Sequence, residues 1–397
     1  MTTGTVHDIA PGLCLIEGHH PHSLWDDPDL PTIVMYRSGP RLYLLDTGVG
    51  PEQRDGIRQV AARWPDVEEI LLLNSHGHLD HLGNNDVLAE LPARTRRHFV
   101  PRAARSALDF ATFFGAMYKR GLPYFDYLDG LDLTADGIAS LLRALGADTA
   151  LKAEDVAALG ARIGELGITP AISPFVPSLV VDILLNTYPP VFPSVETMTD
   201  YEDLGEPREI VIGGTRWTGW TFTDEHGEPE VHALRSGGHS AGGLVFHLPR
   251  HRFLMLADET SSVPIWADTD PRRTIETATK ALAMIDSGDV ERLCAGHRPL
   301  LPAGGDEARD ALRAVVASGN DFADSVTAAL AGRPQGVCID DLYDELVAGP
   351  SPTIALLKRL QFPVFSTFLK LTLLNHCLLH ELPTAVDDRG RTLFLPG

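Results

Sequence analysis

Three histidines and an aspartate, His76, His78, Asp80 and His81, lie within six consecutive positions of this chain. They follow the apolar run at residues 70–73, which is typical of a buried strand. Neutral imidazole and carboxylate are the ligands that bind zinc, iron or manganese in proteins. Because a turn from strand to helix can direct all four side chains into one cavity, the spacing predicts a metal site at the end of that strand.

Four further segments occur in an order that is typical of one family. Residues 42–48 form an apolar run that ends in Asp46-Thr47-Gly48, and residues 236–243 contain a Gly-His-Ser turn around His239. Residues 253–258 are an apolar run that ends at Asp258, and residues 294–297 end at His297. Together with the H-x-H-x-D-H pattern, these segments resemble the metallo-β-lactamase superfamily over about residues 10–100 and 208–300.

The resemblance implies a ligand role for each of seven side chains. His76, His78 and His239 would hold one metal ion, Asp80, His81 and His297 a second, and Asp258 would bridge the two. The implied cofactors are two divalent ions, zinc foremost, with iron or manganese as alternatives.

Two divalent ions about 3.5–4 Å apart can supply a metal-bound hydroxide that attacks a carbonyl carbon. Asp80 would then either orient that hydroxide and accept its proton, or act as a ligand alone. Asp46 would contact a ligand imidazole or its loop and hold it in place, or it would only cap the strand turn.

Composition restricts the partners and the compartment. The formal charge of −21, from 54 acidic and 33 basic residues, argues against binding nucleic acid through its phosphates. Four widely spaced cysteines without a C-x-x-C motif indicate free thiols in a reducing compartment. The chain shows no signal-peptide pattern and no long apolar run. We therefore expect a cytoplasmic protein that acts on a small molecule, touches neither membrane nor nucleic acid, and could form a homodimer.

Apolar alternation predicts two β-rich halves, at residues 1–101 and 208–305. In the first half it predicts a helix over Gln53–Trp64 and strands over Gly12–Glu17, Thr32–Arg37, Leu42–Asp46, Glu69–Leu73 and His98–Pro101. In the second half it predicts strands over Glu209–Ile212, Trp217–Thr223, Glu230–Leu234 and Leu244–Leu248. The family resemblance implies that the halves form an α/β fold, the four-layer αββα metallo-β-lactamase sandwich.

Residues 102–207 separate the two halves and are predicted to be a helical insertion. Its first part is rich in aromatic residues, among them Phe113 and Tyr124. These side chains would line a substrate lid beside the metal cleft, or they would pack the insertion onto the sandwich or form a dimer face. His22, in a loop before the second predicted strand, is a further candidate for substrate contact.

Residues 306–397 are predicted to be a helical extension. Helices are expected over Glu307–Leu330, Ile339–Val347 and Thr353–Leu379, the last interrupted at Pro363, followed by a short hairpin over residues 384–394. Helices followed by a hairpin resemble the winged-helix-like appendage of some superfamily hydrolases. We expect the extension to cover an edge of the sandwich and to wall the active site.

Sequence and resemblance together predict a binuclear hydrolase of an ester, thioester or lactone bond in a moderately apolar small molecule. A β-lactam is less favoured, because His81 and Asp258 replace the cysteine-containing second site of many lactamases. Three alternatives remain: an alkylsulfatase-like hydrolase, an iron-dependent oxygenase or persulfide dioxygenase with the same ligands, and a non-catalytic binding module of the same fold.

Overall fold

The computed structural model describes residues 4–19, 30–108, 113, 116, 119–125, 200–260, 268–302, 305–358 and 365–397. His22, Pro363 and most of the predicted insertion lie outside the described residues.

Within the described residues, the first sheet has seven strands in chain order. They are β1 (Val6–Ala10), β2 (Leu13–Ile16), β3 (Ile33–Ser38), β4 (Arg41–Leu45), β5 (Glu69–Leu73), β6 (Thr95–Val100) and β7 (Glu202–Asp203). Strands β4, β5, β6 and β7 pair in parallel, whereas β1 to β4 pair antiparallel. The two-residue strand β7 lies within the predicted insertion and pairs with β6, so the chain has rejoined the first sheet before residue 207.

The second sheet, in the described part of the chain, also has seven strands. They are β8 (Arg208–Ile212), β9 (Thr215–Thr223), β10 (Pro229–Arg235), β11 (Leu244–Leu248), β12 (Phe253–Met255), β13 (Arg292–Ala295) and β14 (Arg298–Pro302). All neighbouring pairs are antiparallel except β12 with β13, which is parallel.

The helices belong partly to the sandwich and partly to the C-terminal extension. They are α1 (Pro51–Ala62), the one-turn helix α2 (Leu79–Leu82), α3 (Pro271–Asp286), α4 (Asp306–Ala331), α5 (Ile339–Ala348), α6 (Pro352–Lys358) and α7 (Phe365–Leu379). Short 3₁₀ helices occur at Asn85–Glu90, Arg102–Ala107 and Pro249–His251, and a hairpin of β15 (Thr384–Val386) and β16 (Thr392–Phe394) ends the chain.

Alternation along the strands builds the layers. In β5, Leu71 and Leu73 face the cluster between the sheets, while Ile70 and Leu72 pack towards α1. On the other side, α3 and the first half of α4 pack on the outer face of the second sheet. The order helix, sheet, sheet, helix confirms the predicted four-layer αββα fold.

The second half of α4 packs against the C-terminal helices instead of the sandwich. Its Phe322 and Val326 are fully buried with Phe368 and Leu369 of α7. Thus α4, which begins at Asp306, packs with the sandwich through its first half and with the C-terminal helices through its second half.

Three described aromatic residues in the first part of the insertion belong to this helical cluster, whereas Tyr201 near its end packs with Leu82 and Val100. Phe113 and Phe125 are buried in it, and Tyr124 packs against it with its ring stacked on Phe394 at a centroid distance of 5.9 Å. Leu79, the residue before Asp80, is buried in the same cluster. Phe113, Tyr124 and Phe125 therefore pack with the C-terminal helices, in the cluster that also contains Leu79 of the metal motif.

Some elements were not predicted from the sequence. Strand β14 contains Pro299 and Pro302, which usually argue against a strand, but it lies at the edge of its sheet, where a missing N–H is tolerated. Strand β1 is also an edge strand and is only partly buried, so its apolar alternation is weak. No helix among the described residues is long and apolar enough to cross a bilayer.

Candidate metal centre

The predicted ligands meet at one edge of the sandwich because strands end there. Parallel β4 and β5 end in register at Leu45 and Leu73, just before Asp46 and the His76 motif. Parallel β12 and β13 end together at Met255 and Cys294, shortly before Asp258 and His297. The carboxyl ends of parallel strands lie at the same edge of a sheet, so each pair delivers its polar loops to one place.

The first donor group contains three imidazoles. His78 Nδ1 lies 2.9 Å from His76 Nε2 and 3.0 Å from His239 Nε2. Asp258 Oδ2 completes the group at 3.4 Å from His239 Nε2 and 3.8 Å from His76 Nε2. The motif turn and the Gly-His-Ser turn, far apart in sequence, thus direct nitrogen atoms at one point.

The second group uses both oxygens of the same carboxylate. Asp258 Oδ1 lies 3.2 Å from His81 Nε2, and Asp258 Oδ2 lies 3.3 Å from His297 Nε2. Asp80 Oδ2 lies 3.2 Å from His297 Nε2 and 3.4 Å from His81 Nε2. Within each group the donor atoms all lie within 4.8 Å of one another.

Two of these donor atoms are buried without a hydrogen bond. His81 Nε2 and Asp258 Oδ1 face each other, yet neither completes a hydrogen bond among the described residues. Leaving such groups buried and unsatisfied costs free energy, about 1–3 kcal/mol each. A cation would satisfy both, so the residues present fit a metal, and imidazole with carboxylate suits zinc, iron or manganese.

The two groups differ in protonation. Burial lowers the pKa of His76 and of His78 well below the ordinary histidine value, and neighbouring imidazoles lower both further. Burial also opposes charge on His81, but the carboxylates of Asp258, Asp80 and Asp46 raise its pKa well above the ordinary value. The first group therefore presents neutral ligands, whereas a cation in the second competes with a proton for His81.

The carboxylates respond in the opposite direction. Burial raises the pKa of a carboxyl group, but the imidazoles of His297, His81 and His239 hold the pKa of Asp258 well below its ordinary value. His81 and His297 likewise lower the pKa of Asp80 against the effect of burial. Both carboxylates are thus ionised at neutral pH and available as ligands.

Asp46 contacts the ring nitrogen of His81 that faces away from the second donor group. Its Oδ2 lies 2.8 Å from His81 Nδ1 and accepts a 2.7 Å hydrogen bond from Ser75 Oγ, while its Oδ1 accepts one of 2.6 Å from the Ser75 N–H. Asp46 is fully buried and adopts a φ of 62°, a conformation that costs a non-glycine residue about 1–3 kcal/mol. With the Nδ1 proton directed at Asp46, Nε2 is the nitrogen of His81 that a cation in the second group would bind after displacing its proton.

A network of buried polar side chains and backbone groups hydrogen-bonds to the backbone of the motif. This network was not predicted from the sequence. The carbonyl of His81 accepts hydrogen bonds from the Thr47 N–H (2.9 Å) and from Asn74 Nδ2 (3.3 Å). Asn74 also contacts Asn85 and His98, whose Nε2 lies 2.8 Å from Asn74 Oδ1. Since Asn74 directly follows β5, lies two residues before His76 and is buried, a buried amide at a strand end was the available signal.

Two small residues let the chain approach Asp258 closely. A Cβ on Gly296 would lie 2.1 Å from Asp258 Oδ1, so only glycine fits there. Ala257 has a φ of 46°, and its carbonyl accepts a 2.7 Å hydrogen bond from the Gly296 N–H. The loops after β12 and β13 are therefore joined where they enter the site.

The three residues predicted to contact the substrate are His22, Phe113 and Tyr124. His22 lies outside the described residues. Phe113 and Tyr124 lie in the helical cluster described above, with Phe113 buried. Their positions favour the packing alternative for these two side chains, and Leu79 connects that cluster to the metal motif.

Replacing Asp46 by Asn should weaken one of two cation-binding steps by about 10–100-fold, the usual effect of losing a residue that orients a ligand imidazole. An amide N–H in place of Oδ2 would favour the wrong tautomer of His81. Zinc titration with a competing chelator measures both steps. Asp66→Asn is the control, because Asp66 is an exposed partner of Arg37; equal affinities in the Asp46 variant and this control would contradict the role of Asp46.

Comparison with known proteins identifies the family of the chain. A family model described as the metallo-beta-lactamase superfamily matches residues 26–297. A beta-lactamase domain protein from Burkholderia ambifaria has a similar structure, with a TM-score of 0.51 and 15% identity over 100% of this chain and 96% of that chain. No curated protein matches the chain.

Two other solved structures are similar at lower scores. A metallo-beta-lactamase family protein from Thermus thermophilus has a TM-score of 0.47 and 16% identity, covering 98% of this chain and 100% of that chain. A sec-alkylsulfatase from Pseudomonas sp. has a TM-score of 0.47 and 13% identity, covering 93% of this chain and 49% of that chain. The family model spans more than half of the 397 residues, and the chain therefore belongs to the metallo-beta-lactamase superfamily and is an enzyme with its metallo-hydrolase fold.

Proposed function

We propose that this protein is a binuclear metal-dependent hydrolase of an ester, thioester or lactone bond in a moderately apolar small molecule. The observation that carries the proposal is the arrangement of seven donors in two groups that share Asp258. One group offers three imidazoles and a carboxylate, and the other offers two imidazoles and two carboxylates, so each suits one divalent cation.

Each group would hold one cation, zinc foremost. Bound there, the two ions would lower the pKa of a water molecule between them and polarise the carbonyl of the substrate. The chain's own residues determine how this chemistry is used: Asp258 spaces the two groups, and Asp46 fixes the tautomer of His81.

Asp80 is the residue suited to proton transfer. Its carboxylate lies beside His81 and His297, and its side chain is 17% exposed, whereas that of His81 is fully buried. A carboxylate that is ionised and reachable from the cleft can orient a water molecule and accept its proton. Both contacts to the donor imidazoles are made by Asp80 Oδ2, so Asp80 would act as a base through its other oxygen, Oδ1.

A moderately apolar substrate is proposed from the aromatic content of the insertion. Leu79 precedes Asp80 and is buried among the apolar side chains of the C-terminal helices and of Phe113 and Phe125. This cluster is packed core next to the motif, so it would support the centre and not contact the substrate itself. The formal charge of −21 also disfavours polyanionic substrates such as nucleic acids.

The same donors would also accept iron, so an oxygenase is the principal rival. The direct experiment is a panel of thioesters, lactones, aryl esters, sulfate esters and phosphodiesters, assayed with zinc-loaded protein. We expect hydrolysis of one of the acyl classes, its loss on chelation and its return with zinc. Preference for sulfate esters would favour the alkylsulfatase alternative, and oxygen uptake by the iron-loaded protein without acyl hydrolysis would overturn the hydrolase proposal.

Asp80→Asn tests the proton-transfer role. An amide cannot accept the proton of water, so kcat should fall about 10²–10⁴-fold while KM changes little. Steady-state kinetics on the best substrate of the panel and a zinc titration measure the two effects. Asp86→Asn is the matched control, since it removes only the pairing of Asp86 with Arg54. A kcat equal to that of this control would limit Asp80 to a dispensable ligand.

A further inference from the structure

The turn that carries His239 is neither helix nor strand. It connects β10 to β11 at residues 236–243, and Gly237 within it has a φ of 69°. A turn of this kind has no regular hydrogen-bond ladder to fix its backbone. Other contacts must therefore determine where the His239 imidazole points.

Glu259 supplies two of those contacts. Its side chain is buried, with the residue 2% exposed, and its Oε1 accepts hydrogen bonds from the backbone N–H groups of Gly238 (3.0 Å) and His239 (3.1 Å). A Cβ on Gly238 would lie 2.4 Å from Glu259 Oε2, so the carboxylate sits directly against the turn. Glutamate is rarely buried without a specific partner, and here the partner is the backbone of a ligand residue.

The far side of the turn is held separately. Asp268 Oδ2 accepts hydrogen bonds from Ser240 Oγ (3.0 Å) and from the Ala241 N–H (2.9 Å). The Gly238 carbonyl accepts a 2.7 Å hydrogen bond from the Asp270 N–H. Since these contacts lie at Gly238, Ser240 and Ala241, Glu259 is the described side chain that holds the His239 N–H itself.

Glu259 also directly follows Asp258. One short segment therefore carries both the shared carboxylate and the anchor of the His239 turn, and it brings His239 Nε2 to 3.4 Å from Asp258 Oδ2. Displacing the anchor would move an imidazole relative to the other donors without removing any donor.

We propose that Glu259 is a positioning residue that sets the affinity of the His76, His78 and His239 group for its cation by fixing the backbone of His239. This inference rests on the metal centre proposed above. If Glu259 had only a structural role, its replacement would change the stability of the fold and leave cation affinity unchanged. If its role were only electrostatic, cation affinity would depend on its negative charge and not on the length of its side chain.

Three variants separate these roles. Glu259→Gln keeps the length of the side chain and an oxygen that can accept both N–H bonds, so cation affinity should stay close to that of the unmodified protein. Glu259→Asp keeps the charge but withdraws the oxygens, and Glu259→Ala removes them. Both should weaken one of the two cation-binding steps by about 10–100-fold, the range for lost support of a ligand. Cobalt(II) titration followed by its visible absorption, with zinc competition, resolves the two steps.

Glu230→Gln is the matched control. Glu230 is also a buried glutamate, 2% exposed, but it pairs with the Tyr43 hydroxyl and belongs to β10, away from the ligand turns. It should lower the melting temperature without changing either cation-binding step.

A double mutant tests whether the effect passes through His239. In a His239→Ala background, Glu259→Asp should cause no further loss of cation affinity, because coupled residues are non-additive. A further loss by the same factor, wild-type affinity in Glu259→Asp, or tighter binding by Glu259→Asp than by Glu259→Gln would each overturn the inference. If the unmodified protein bound no cation, the proposed function would fail; if it bound two and Glu259→Asp did so equally well, only the role of Glu259 would fail.

Discussion

The arrangement of the site depends on one buried carboxylate, that of Asp258, which faces imidazoles from three separate loops. Its Oδ1 is directed at His81, and its Oδ2 is shared by His239 and His297. A buried charge is costly unless it is compensated. The imidazoles can compensate the charge of Asp258 only if the loops that carry them are held in place. The strands of the sandwich hold these loops.

Support for the ligands comes from residues that never enter the two donor groups. Asp46 orients His81, Asn74 and Thr47 hold the backbone of the motif, and Glu259 holds the backbone of the His239 turn. Two of the four non-glycine residues that adopt positive φ in the described part of the chain, Asp46 and Ala257, lie at the same edge. Backbone strain of this kind persists only where the surrounding structure overdetermines it, and here strand ends and buried hydrogen bonds do so.

Sequence patterns and the family resemblance predicted the fold and the seven converging side chains, because ligand spacing and strand alternation are local patterns. For Asp46 they gave two alternatives, contact with a ligand imidazole or its loop and a cap on the strand turn, and Asp46 contacts His81. They did not single out Glu259 or Asn74 as supports, since the partners of both residues come from segments that the fold brings near. Because β14 contains two prolines, the sequence did not predict this edge strand. The aromatic pattern of the insertion did not predict that Phe113 packs with α4 and α7.

In the proposed centre two cations share Asp258. The most direct measurement is a crystal structure of the protein purified with its native metal, with anomalous scattering recorded on both sides of each metal absorption edge. We expect two peaks, one among His76, His78 and His239 and the other among Asp80, His81 and His297, with Asp258 between them. A fully occupied single peak that leaves the second group protonated, or no peak at all, would contradict the account.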